Sequence, residues 1–153
     1  MTQLGERPVA FAVVALALAI ATVTDLRERR VPLWLTVPGI AGGLLWGALT
    51  GGADGLRHSG FGLLAGLLIL SPIVAIGRLR GHEPIGFGDI LLLGLIGAWH
   101  GWVFLLWCTW WMSLAGGLLG LIALLRKQST LPYVPALLLG FIAATLRPPG
   151  LPG

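Results

Sequence analysis

Uncharged apolar runs of membrane-spanning length alternate along this chain with short polar clusters. Residues 8–24 lie between Arg7 and Asp25, 31–53 between Arg30 and Asp54, 59–77 between His58 and Arg78, and 128–146 before Arg147. Each is near the ~20 residues a helix needs to cross the hydrocarbon core. The stretch 90–125 carries no formal charge and is too long for one ordinary span. A break at His100-Gly101 divides it into a short helix over 89–99 and a longer one over 102–125. The pattern therefore predicts an all-α, polytopic membrane protein with about six transmembrane helices, the fourth of them short. A helix of about 11 residues does not cross a bilayer unaided, so neighbours must bury the fourth.

Composition agrees with the runs. The chain is 56% hydrophobic and only 10% charged, with a mean hydropathy of +0.91; a soluble domain carries about a quarter charged residues. The net charge of +4 is distributed unevenly. Arg27, Arg29, Arg30, Arg78, Arg80, Arg126 and Lys127 fall on one side of the predicted topology, and Arg7, Arg57 and Arg147 on the other. The positive-inside rule places the basic loops in the cytoplasm and both chain ends outside, as expected of a multi-pass protein of the plasma membrane. The basic excess thus reads as topology and not as a nucleic-acid footprint. The first segment lacks a basic n-region and is followed by Asp25 and three arginines, so it is expected to be a retained helix and not a cleaved signal peptide. One domain is expected over 1–147, with a disordered proline- and glycine-rich tail over 148–153. The stretch 51–55 is expected to be a loop, and Gly62-x-x-x-Gly66 and Gly116-x-x-x-Gly120 to be helix-packing sites. Trp34, Trp99 and Trp102, near predicted span ends, read as interfacial anchors. Cys108 is the only cysteine, which excludes an intramolecular disulfide and a cysteine metal cluster.

Acids are scarce, six in all, and two of them stand where they are costly. Asp25 ends the first apolar segment, and Asp89 opens the fourth between Gly88 and an apolar run. The predicted topology puts both on the cytoplasmic side at one depth. Paired carboxylates at short range do not both ionise easily, so one holds a proton while the other acts as base. Such a pair activates water and polarises a peptide carbonyl. The glycines around Phe87 leave room for an extended backbone to approach Asp89. Simpler roles are open for each acid: Asp25 paired with Arg29 one turn on, and Asp89 as a helix N-cap.

Three ordered motifs favour the catalytic role. Residues 24–36, Thr-Asp-Leu-Arg-Glu-Arg-Arg-Val-Pro-Leu-Trp-Leu-Thr, resemble the first signature of the type IV prepilin peptidases, in which an Asp precedes a polar stretch and an Ile-Pro-Asn-like turn. Gly86-Phe87-Gly88-Asp89, with the apolar run and Gly97-Ala98-Trp99 behind it, resembles their GxGD signature. Leu131-Pro132-Tyr133-Val134-Pro135 is similar to the entry of their last helix. The resemblance implies a membrane-embedded aspartic endopeptidase that removes the basic leader from pilin-like precursors at the cytoplasmic face. By carry-over, Asp25 and Asp89 are the catalytic pair and Gly86, Phe87 and Gly88 form a substrate-binding loop. No metal or other cofactor is expected; the partners are the precursor proteins and the lipid bilayer. The length is similar to that of the short family members that serve tight-adherence pili or archaeal filaments, and it carries an expectation of no N-methylation. Two positions depart from the family pattern, Leu33 where it has Asn and Leu91 where it has Lys.

Other polar residues carry less. His82 and Glu83 precede the GxGD turn and suit a solvated loop pair or a contact with the leader. His58 and His100 are expected at the far side from the acids, out of reach of a shared metal. The alternative function is a peptidase-like assembly factor without activity, or a small proton- or cation-coupled transporter. Transport requires a carboxylate near mid-membrane on a polar path, and the expected depth of both acids speaks against it.

Overall fold

The structure is a computed structural model that describes residues 3–28, 31–81, 86–125 and 133–146. Four α-helices follow in chain order: α1 Gln3–Glu28, α2 Leu33–Leu79, α3 Phe87–Leu125 and α4 Tyr133–Leu146. No strand occurs among the described residues. Three stretches, Pro8–Glu28, Leu33–Leu79 and Phe87–Leu118, are long and apolar enough to cross a membrane, and Val134–Leu146 is a shorter apolar helix. The protein is an all-α, polytopic membrane protein.

Two of the helices are broken once, each at a glycine. Gly52 in α2 adopts φ 58°, ψ −138°, and Gly101 in α3 adopts φ 78°, ψ 173°, regions open to glycine because it has no Cβ. The described chain thus forms six helical segments, four helices with two interruptions. The break expected at His100-Gly101 is present. At 51–55 the expectation of a loop is corrected: the helix resumes after Gly52 alone. The chain folds back there, since a Cβ on Gly55 would strike the Gly47 carbonyl. α1 extends at both ends beyond the expected 8–24, so that Asp25 is helical. The tail 148–153 and residues 128–132 lie outside the described residues.

The segment 87–100 is the centre of the bundle. Ile90, Leu92, Leu93, Leu95, Ile96 and Ala98 are all buried, which is how a helix too short to span alone becomes stable. Gly62 and Gly97 meet backbone to backbone, and Gly66 rests on Leu93 and Gly94. This pairing runs antiparallel, whereas Gly39 on Leu95 and Gly43 on Trp99 show 33–51 running parallel to 87–100. Small residues let helices approach closely and gain dispersion where no hydrophobic effect drives association. The expected role of Gly62 and Gly66 is therefore met; a Cβ on Gly116 would meet only the Ala136 Cβ, at 3.8 Å.

Trp99 departs from its expected part as an interfacial anchor. Its indole Nε1–H donates to the Gly39 carbonyl at 2.8 Å, and its ring stacks on Trp46 at 6.2 Å. Trp34 and Trp102 are exposed. Hydroxyls in the helices bond back to their own backbone, Thr22 to Leu18 at 2.7 Å and Thr109 to Leu105 at 2.8 Å among them, so they enter an apolar setting already satisfied.

Candidate active site

Helix register determines what gathers at each end. The parallel offset of 56 residues between Gly39 and Leu95 (95 − 39) places Leu33 level with Asp89. The antiparallel pairing of Gly62 with Gly97 carries the last turn of α2, with Arg78, to the same end, and carries Arg57 to the other. Asp25 approaches from the last turns of α1, within electrostatic range of Asp89. Two acids 64 positions apart (89 − 25) are thus brought together from different helices.

Asp89 is buried at 8% relative exposure, and Asp25 is half-buried. α3 starts at Phe87, two residues before Asp89, so the acid sits within the first turn and not at the cap position. Its backbone N–H donates to the Gly86 carbonyl at 3.1 Å. A carboxylate in a first turn faces the positive end of the helix dipole. The local fold fixes the Asp89 backbone at the start of α3.

The loop residues are not equivalent. Gly86 and Phe87 are exposed, Phe87 at 59%. A Cβ on Gly86 would meet only Asp89 Oδ2, at 3.6 Å. At Gly88 the space is already occupied: a Cβ would land on the side chain of Val31. The room expected for a substrate backbone at both glycines exists at Gly86 alone. Val31 had no role assigned from sequence, although a β-branched residue before Pro32 signals a stiff, extended entry to α2. Leu33 is exposed, so its departure from the family pattern alters the wall of the site and not the core. Leu91 is partly buried in the α3 first turns. Arg29, His82 and Glu83, and with them the Asp25–Arg29 pairing, lie outside the described residues.

The histidines stand apart. His100 is 11 positions along α3 from Asp89, about 16 Å at 1.5 Å per residue. It stacks on Phe104 at 4.6 Å and meets Phe141 edge-on at 5.4 Å. His58 packs on Gly101 at the same end. Among the described residues no group of three or more His, Cys, Asp or Glu could hold a metal ion.

A family model described as the type IV leader peptidase family matches residues 12–121, a stretch containing both acids and the GxGD turn. The chain belongs to that family. It is 37% identical over 150 residues to a prepilin leader peptidase/N-methyltransferase of Burkholderia pseudomallei, covering 93% of this chain and 47% of that protein. A protein of the same name from Aeromonas hydrophila is 38% identical over 128 residues, 80% of this chain and 44% of its own length. That of Pseudomonas aeruginosa is 34% identical over 132 residues, with 80% and 44% covered. The chain spans about half the length of the curated relatives it matches. No solved structure matches it.

Proposed function

We propose that this leader peptidase family member is an aspartic endopeptidase that removes the basic leader from type IV pilin-like precursors, with Asp25 and Asp89 as its catalytic pair. The observation that supports this reading is the convergence of the two carboxyl groups at one end of the bundle. One carboxylate takes a proton from a water held between them, and the water oxygen attacks the scissile carbonyl carbon. The other carboxyl, protonated, donates to the carbonyl oxygen as it becomes a hydroxyl. The tetrahedral diol then collapses: the C–N bond breaks, the amine leaves with a proton, and the pair returns to its starting state. Gly86 and Phe87, exposed beside Asp89, are the side from which the extended precursor reaches the pair.

Arg27, at the end of α1, and Arg78, at the end of α2, lie toward the acids, whereas Arg57 lies at the opposite end. By the positive-inside rule the site faces the cytoplasm of the plasma membrane and the chain ends lie outside.

The test is co-expression with a pilin-like precursor, reading leader removal as a mobility shift. Asp25→Asn and Asp89→Asn are each expected to abolish processing, by roughly 10³-fold or more where an acid–base pair acts as a unit. Wild-type processing in both variants overturns the assignment.

A further inference from the structure

The turn that carries Asp89 leans on the entry to α2 through one side chain. A Cβ on Gly88 would clash with Val31 Cβ and would come within 3.0 Å of its Cγ2 and 3.3 Å of its Cγ1. Val31 therefore sits in the slot that the absent side chain leaves, one residue from the acid. Its own position is determined from the other side. Pro32 holds φ −72°, ψ 125° at the start of α2, and its carbonyl accepts the N–H groups of Leu35 at 3.1 Å and Thr36 at 3.3 Å. Thr36 is fully buried, and Val31 and Leu35 pack against the core. A β-branched residue before proline has few alternative rotamers and an extended backbone, so the knob is stiff. Asp25 is six residues before it, 31 − 25, at the end of α1.

We infer that Val31 is a positioning residue: seated in the Gly88 slot, it sets the separation between the Asp25 and Asp89 carboxyl groups. This rests on the proposed catalytic role of that pair. A bond-making step between two groups tolerates little error, and a displacement of about 1 Å can lower the rate on the order of 10²-fold. Shortening Val31 should therefore lower kcat and leave the binding of the precursor unchanged, because Val31 is partly buried and packs on the core, away from the exposed Gly86 and Phe87.

The test uses the full chain in liposomes with a pilin-like precursor, measuring kcat and KM for leader removal. Val31→Ala is expected to lower kcat by roughly tenfold or more with KM within about twofold, and Val31→Ile, which keeps the branch, to remain near wild type. Gly88→Ala should lower kcat further. Adding Val31→Ala should not relieve that loss, since the Val31 Cβ itself is struck, whereas adding Val31→Gly should recover at least part of it. A wild-type kcat in Val31→Ala, or a change confined to KM, overturns the inference. Should Gly88→Ala fail to accumulate in the membrane, the Val31 variants decide alone. Asp89→Asn serves as the reference: loss of processing there with full activity in Val31→Ala removes the positioning role and leaves the site, while full processing in Asp25→Asn and Asp89→Asn removes the site and the positioning role together.

Discussion

The two halves of α3 are both largely apolar and live in different surroundings. In 87–100 an unbroken run from Leu92 to Ala98 is buried. In 102–125 Leu106, Trp110, Leu114 and Leu118 recur every fourth residue along an exposed face, while Leu105, Cys108 and Met112 are buried on the other. Hydropathy does not separate them, because lipid and protein interior accept the same side chains. What separates them is how much of each surface a partner covers and whether its own glycines are met. Gly97 faces Gly62 and Gly94 faces Leu63 and Leu67, whereas Gly117 has nothing within 4 Å. A glycine becomes a packing site only where a second helix meets it: the half with Asp89 is met at its own Gly94 and Gly97, whereas in 102–125 the close approach uses the partner's glycine, Gly140 of α4 on the Met112 backbone.

The sharpest way to break this comparison is to add one methyl group to each half. Gly97→Ala would drive a Cβ into the Gly62 carbonyl, with backbone on both sides and no flexible side chain to yield. It is expected to destabilise the fold by about 3 kcal/mol, or to prevent insertion. Gly117→Ala meets open space and is expected to be neutral or slightly stabilising, since alanine is the better helix former. Denaturant titration in micelles measures both. Equal losses would mean that the second half is packed as tightly as the first.

Truncating one leucine in each half should give the next largest difference. Leu95 is fully buried, and Leu95→Ala is expected to lose about 2–5 kcal/mol through the cavity it leaves. Leu114 is 53% exposed, and Leu114→Ala is expected to stay within about 0.5 kcal/mol, because its outer face meets lipid whether or not the helices are packed. A comparable loss at Leu114 would reveal a partner on that face.

Much of this architecture was legible in the sequence. Charge-free runs marked the helices, and the break at Gly101 followed from a run too long for one span. Asp25 and Asp89 were placed on one side by counting spans, and the structure brings them into electrostatic range. What local reading missed depends on contacts between segments distant in sequence. The stretch 51–55 is rich in turn formers, yet the helix loses only Gly52, because Gly55 packs on the Gly47 carbonyl and holds the flanking turns. Gly88 read as space for a substrate, because nothing local reveals that Val31, 57 positions earlier (88 − 31), fills it. The alternative role of Asp89 as a helix cap does not hold, because the helix begins two residues before it.

Trp99 offers the smallest and most discriminating comparison. Its ring packs at the end of the buried half, stacked on Trp46, and its Nε1–H crosses to the Gly39 carbonyl at 2.8 Å. Trp99→Phe keeps an aromatic ring and removes the donor. Hydrogen bonds between helices in a membrane contribute about 0.6 kcal/mol on average, because the separated helices also find partners. A loss of that order is expected in the same micelle titration, with no change for Trp110→Phe, whose ring is 60% exposed. If the two substitutions give the same result, the buried half is held by backbone approach at Gly62 and Gly97 alone, and the indole bond only follows the packing. If Trp99→Phe loses several-fold more, the bond to Gly39 helps fix the parallel register that brings Leu33 level with Asp89, and leader processing should fall with it.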